Sequence, residues 1–162
     1  MPIPSPTNSV GVKTPPGAPE PLLASTASSS ISRRRVLSDL PPDTPPVIRT
    51  IAMPADTNAN GDIFGGWLMS QMDSAGGMSA VQRCGGRVVT VAVNAMVFHR
   101  PVKVGDILCV YTDIVSVGRS SMHIRIEVWV RRFITDQHEK VTEGEFTYVA
   151  IDDEGRSRPV DR

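Results

Sequence analysis

From Gly65 to about Arg83 the chain carries its single long helical pattern, and every regular segment after it reads as strand. Leu68, Met72, Ala75 and Ser79 recur on one stripe of that pattern, with Trp67 and Met78 beside them, and Gly85-Gly86 ends it. A short strand precedes it (Val47–Met53, stopped by Pro54), and residues 54 to 64 form a loop rich in Asp, Asn and Gly. Strand segments follow at 87–98, Ile107–Val117, about 121–131 and Val141–Ile151. Turns at Gly105-Asp106 and Gly118–Ser120 and a polar loop at 135–140 separate the last four.

The strand around residue 126 sets the sheet type. Met122, Ile124, Ile126, Val128 and Val130 alternate with His123, Arg125, Glu127 and Arg131, and only Trp129 breaks the polar row. Period two with one polar face marks an antiparallel sheet covered on one side. One helix must therefore cover the apolar face of a curved antiparallel sheet, an α+β arrangement that describes the hotdog fold. The surplus apolar surface at Val89, Val91, Val93 and Trp129 is expected to be covered by another subunit.

Eleven of the fourteen prolines fall in residues 1–46, around a Ser/Thr/Ala-rich run. Such a segment buries too little apolar surface to offset its ordering entropy, so residues 1–46 are expected to be a disordered tail and 47–162 the domain. Lys+Arg and Asp+Glu both number 17, which advertises neither nucleic acid nor a membrane surface. The two cysteines, Cys84 and Cys109, lie in apolar segments and suit a reducing, cytoplasmic compartment.

Asp73 is the residue that local rules do not explain. It sits mid-helix with Met69, Ser70, Gly76 and Gly77 at helical spacing, none of them cationic, and each mid-helix glycine costs about 1 kcal/mol against Ala. A carboxylate beside two residues without bulk fits a group that a ligand must approach. Gly65-Gly66 at the helix start presents free N–H groups suited to an oxyanion. Asp62 reads equally as a second site carboxylate or as a helix cap. Asn58 and Asn60 read as turn caps. The DTNANG stretch imitates a calcium loop, but its twelfth position is Trp67 instead of a bidentate Glu, so no metal is assigned. Gly118, Arg119, Ser120 and Ser121 combine a cation, hydroxyls and amides, and Arg100 flanks another turn; both suit phosphate.

RTIAMPADTNANGDIFGGWLMSQMD, RVVTVAV, FHRPVKVGD, VGRSS and EVWV resemble the YciA-type acyl-CoA thioesterases of the hotdog superfamily over residues 48–160. The resemblance implies hydrolysis of acyl-CoA to CoA and a carboxylic acid without metal or redox cofactor. It implies a homo-oligomer, a dimer often assembled three times over, with sites between subunits. By motif position Asp73 would be the catalytic carboxylate, with Asp62 beside it. The amides near Gly65, Gly66 and Trp67 would meet the thioester oxygen. Gly118–Ser121 would contact CoA, together with Asn58, Asn60 and Arg100, and Thr90 would come from the partner subunit. Asp73 would either activate water or attack the carbonyl directly. Two other readings use the same fold. A 3-hydroxyacyl thioester dehydratase needs a His paired with an acid, and no His lies on this helix. A non-catalytic acyl-CoA-binding protein would not need Asp73.

Overall fold

The computed structural model describes residues 40–161. The elements run β1 (Ile48–Ile51), a 3-10 turn (Pro54–Asp56), α1 (Gly65–Cys84), β2 (Val88–Phe98), β3 (Ile107–Val117), β4 (Ser121–Arg131) and β5 (His138–Ala150). The five strands form one antiparallel sheet in the order β1-β3-β4-β5-β2, with α1 packed on one face, as the alternation in β4 requires. β2 ends up at an edge because it pairs with β5, the last strand, and not with β3, its neighbour in sequence.

Gly85 closes α1 in the left-handed conformation (φ 61°), its N–H donating to the Val81 carbonyl at 2.9 Å. Leu68, Met72, Gly76, Ala80 and Cys84 form the buried row, joined by Ala75. That row advances in steps of four, so the expected stripe does not reach Ser79 and Met78. Met78 is 55 % exposed, and half-buried Ser79 shares a hydrogen bond with Thr112 at 2.8 Å. Facing α1, Met122, Ile124, Ile126, Val128 and Val130 are fully buried with Leu108, Val110, Phe146 and Tyr148. Each such large side chain contributes roughly 1.5–3 kcal/mol of transfer free energy.

Two boundaries differ from expectation. β1 is confined to Ile48–Ile51 because Pro54 opens a 3-10 turn, although Ala52 still donates to the Asp106 carbonyl at 3.0 Å. β5 starts at His138 instead of Val141, since Arg131, Val130 and Trp129 pair with His138, Glu139 and Lys140. Those polar residues have cross-strand partners, Arg132 for Glu139 and Glu127 for Lys140, which hold the polar stretch extended. Trp129 is 3 % exposed, packed with Cys109, Tyr111 and Ile107 on the sheet face away from α1. It therefore offers no surface to a partner. β2 carries a continuous share of the exposed apolar surface, at Val89, Val91, Val93, Val97 and Phe98.

The expected tail lies outside the described residues over 1–39. Of its last part, Pro42, Asp43 and Thr44 line a cavity with Tyr111, Arg125 and Glu127. No helix among the described residues is long and apolar enough to cross a membrane.

Candidate active site

Asp73 is exposed on α1, on the side turned toward the start of β2 and the end of β5. Thr90 and Tyr148 are register partners on those two strands. The Thr90 hydroxyl donates to Asp73 Oδ1 at 2.6 Å. The Tyr148 hydroxyl lies 3.1 Å from the Asp73 carbonyl oxygen and 3.3 Å from Oδ1. Burial first, and the Asp73 carboxylate second, push the Tyr148 hydroxyl well above the ordinary phenol range, so it stays protonated and acts as donor. Both donors converge on one carboxylate oxygen, and Oδ2 has no donor among the described residues.

Thr90 reaches Asp73 within its own chain, because β2 lies beside β5 directly under the helix. One expectation changes here. The space at Gly76 is not open to a ligand. A Cβ there would overlap the Tyr148 hydroxyl oxygen and lie 2.8 Å from Ile126 Cδ1, so this glycine admits Tyr148 to the helix backbone. At half-buried Gly77 a Cβ would meet only ordinary contact, 3.9 Å from Tyr148.

A second group of candidates gathers at the N-terminus of α1. Asn58 Oδ1 accepts the N–H groups of Asn60 (2.9 Å) and Asp62 (3.2 Å), as its reading as a turn cap anticipates, leaving Nδ2 with donor capacity to spare. Asn60 is exposed. Asp62 does not cap the helix. It forms an ion pair with Lys103, while the N-cap is Phe64 with no side-chain cap. The Trp67 N–H donates to the Phe64 carbonyl at 3.0 Å, so the amides left without a partner among the described residues are those of Gly65 and Gly66. Two aromatic rings flank them. A Cβ on Gly66 would overlap the Phe64 ring, and one on Gly65 would sit 3.4 Å from Phe98.

The two groups do not meet within one chain. Asp73 lies seven helical steps beyond Gly66, a rise of roughly 10 Å, so no single carbonyl reaches both. The Gly118–Ser121 turn belongs to the Asp73 end. It is closed by the Gly118 N–H donating to the Ser121 carbonyl at 2.8 Å, and Ser121 and Val89 both pair with Val149 from opposite sides. Arg119 and Gly118 are exposed there, with Ser120 half-buried. Arg100 belongs to the opposite end, roughly 30 Å along the strand direction from Thr90, and forms an ion pair with Glu139 at 3.3 Å. Tyr148 is the site residue that sequence reasoning passed over. Its signal was a buried-face tyrosine, in register with Phe146 and Ala150, whose hydroxyl needs a partner.

A long helix laid across a curved five-stranded antiparallel sheet, with a carboxylate presented to the strand edge, defines a hotdog-fold protein. The profile of the Thioesterase superfamily matches residues 60–132. The acyl-CoA thioester hydrolase YciA of Escherichia coli K12 is 56 % identical over 115 residues, covering 69 % of this chain and 87 % of that protein. The hexameric thioesterase of Yersinia pestis superposes with a TM-score of 0.70 at 55 % identity, covering 73 % of this chain and 96 % of that one. An acyl-CoA hydrolase of Staphylococcus aureus, solved with butyryl-CoA, CoA and CoA disulfide, gives a TM-score of 0.65 at 30 % identity, covering 69 % and 68 %. The chain belongs to the YciA-type acyl-CoA thioester hydrolases of the thioesterase (hotdog) superfamily.

Proposed function

We propose that the protein hydrolyses acyl-CoA thioesters at a site that two copies complete. The observation that carries this reading is the separation of the candidate residues along α1. Asp73 and Thr90 stand at the middle of the helix and the unpartnered Gly65 and Gly66 amides at its N-terminus.

The edge strand β2 supplies a way to join them. It spans Val88–Phe98, with Val93 at its midpoint. An antiparallel pairing of two β2 edges about Val93 sets the Phe98 end of one copy against the Val88–Thr90 end of the other. Phe98 packs at Gly65, so the second copy's Gly65 and Gly66 amides come to the first copy's Asp73. The exposed valines of β2 give that pairing its apolar surface. Three such dimers make the hexamer, the state in which the Yersinia pestis relative was solved.

In this site the Gly65 and Gly66 N–H groups, aided by the helix dipole, polarise the thioester oxygen as negative charge develops. Asp73 Oδ2 takes a proton from a water that adds to the carbonyl carbon, or adds to it directly and forms an anhydride that water then opens. In both routes the C–S bond breaks, CoA leaves as the thiol and the acyl group leaves as the acid. Asn58 Nδ2 supplies a further donor beside the amides. Asp62, Trp67, Asn60 and Arg100 shape the same end of the helix. The Gly118–Ser121 turn, with Arg119, takes the CoA phosphates. No cofactor is required, and two free, buried cysteines fit a cytoplasmic setting.

The test is thiol release by the full chain from a panel of acyl-CoAs of increasing chain length. Release of CoA from at least one member is the expected result. Hydration of an enoyl-CoA without thiol release would replace this reading with a dehydratase, and binding without turnover would replace it with an acyl-CoA sensor. In a single turnover in ¹⁸O water, label in Asp73 identifies the anhydride route, because a water activated by Asp73 leaves its oxygen only in the released acid.

A further inference from the structure

Tyr148 is fully buried, and its ring stacks near Phe146, with centroids 6.4 Å apart. Its hydroxyl is delivered into a slot on α1 that exists because residue 76 has no Cβ. In the slot its one hydrogen is shared between the backbone carbonyl of Asp73 and Oδ1 of the same residue. Thr90 donates to that same Oδ1 from the neighbouring strand.

We infer that Tyr148 is a positioning residue for the hydrolytic step, fixing the Asp73 side chain through Oδ1 with Thr90 so that Oδ2 is the oxygen that reacts. The inference rests on the reading of Asp73 as the working carboxylate. A carboxylate on an exposed helix face otherwise samples several rotamers, and each misplaced rotamer is unproductive. Two donors from two strands select one rotamer. From the strands packed against this part of α1, β5 presents Tyr148 and β2 presents the non-titrating Thr90, and no cation pairs with Asp73 among the described residues.

The slot explains both glycine and tyrosine. A tyrosine facing a helix would normally meet a Cβ and be turned aside. Here a Cβ would overlap its hydroxyl oxygen, so Gly76 and Tyr148 are a matched pair.

The test compares wild type, Tyr148→Phe and Asp73→Asn as the full oligomeric chain. Tyr148→Phe keeps the ring and removes the hydroxyl. Its kcat is expected to fall about 3- to 10-fold, the scale of one hydrogen bond, with KM changed less than kcat. The ¹³C-carboxyl resonance of Asp73 in aspartate-labelled protein at neutral pH, assigned by the signal lost in Asp73→Asn, should move without any substrate once the Tyr148 hydroxyl is gone. An equal kcat or an unmoved Asp73 resonance would overturn the inference. A moved resonance in a protein that hydrolyses no acyl-CoA would leave the positioning contact standing and remove the hydrolase reading. If Tyr148→Phe does not assemble, 3-fluorotyrosine in place of both tyrosines supplies a stronger donor in an unaltered fold. It should move the same resonance, and an unmoved resonance would overturn the inference equally.

Discussion

Thr90 donates its hydroxyl hydrogen to Asp73 Oδ1 at 2.6 Å across a sequence separation of 17 residues. The contact ties the middle of the helix to the first residues of the edge strand. Any disturbance of that edge is therefore felt at the carboxylate, and so is any loss of the carboxylate's charge.

Asp73→Asn keeps the shape of the side chain but removes the proton acceptor. Its turnover with the best acyl-CoA is expected to fall at least ~100-fold, the scale of a positioned acid or base. Circular dichroism and sedimentation should remain those of wild type. Turnover within a few-fold of wild type would show that the chemistry lies elsewhere.

Gly76→Ala sets two effects against each other. Alanine gains about 1 kcal/mol of helix propensity, but its Cβ enters space held by the Tyr148 hydroxyl and Ile126. Overpacking of a closed core costs about 1–3 kcal/mol, so the variant should melt at a lower temperature than wild type. A higher Tm would mean that the slot is soft.

Val91 is 55 % exposed on the β2 edge. A lysine there opposes edge-to-edge pairing. Val91→Lys should sediment as a smaller species at micromolar concentration and lose acyl-CoA turnover with it. Dissociation with full activity would place the whole site in one chain.

The pH dependence of stability follows from the network around the β4–β5 hairpin. Arg132 donates to Glu139 Oε2 from Nε (3.2 Å) and Nη2 (2.6 Å), and to buried Asp106 at 2.5 Å. The hydrogen bond from Arg132 holds Glu139 below the ordinary carboxylate range, outweighing its burial. Burial would raise Glu143, but hydrogen bonds from Lys140 and His99 bring it below that range as well. A carboxylate depressed in the folded state stabilises the fold above its unfolded pKa, about 4.3, and stops doing so as pH falls through the folded value. The urea midpoint should therefore decline as pH is lowered below about 4.3. Arg132→Met should start lower and decline less steeply. An equal slope would remove Glu139 from the account.

The single helix, the alternating strands and the conspicuous acid at position 73 were legible in the sequence, because hydrophobic period and helix-breaking glycines act on neighbouring residues. The matching motifs also carried the family. The tertiary structure decided which surfaces face each other. The polar residues His138–Lys140 look like loop until the strand beside them supplies their partners. Trp129 looks unprotected until the outer-face cluster around it is seen. Gly76 reads as room for a ligand until Tyr148, 72 residues later, is found to fill it. Asp62 reads equally as a cap or a site carboxylate until Lys103 pairs with it and Phe64 takes the cap position. Pairing and filling are long-range events fixed by strand order. The order β1-β3-β4-β5-β2 brings Thr90 and Tyr148 together beneath Asp73 and leaves β2 as an open edge.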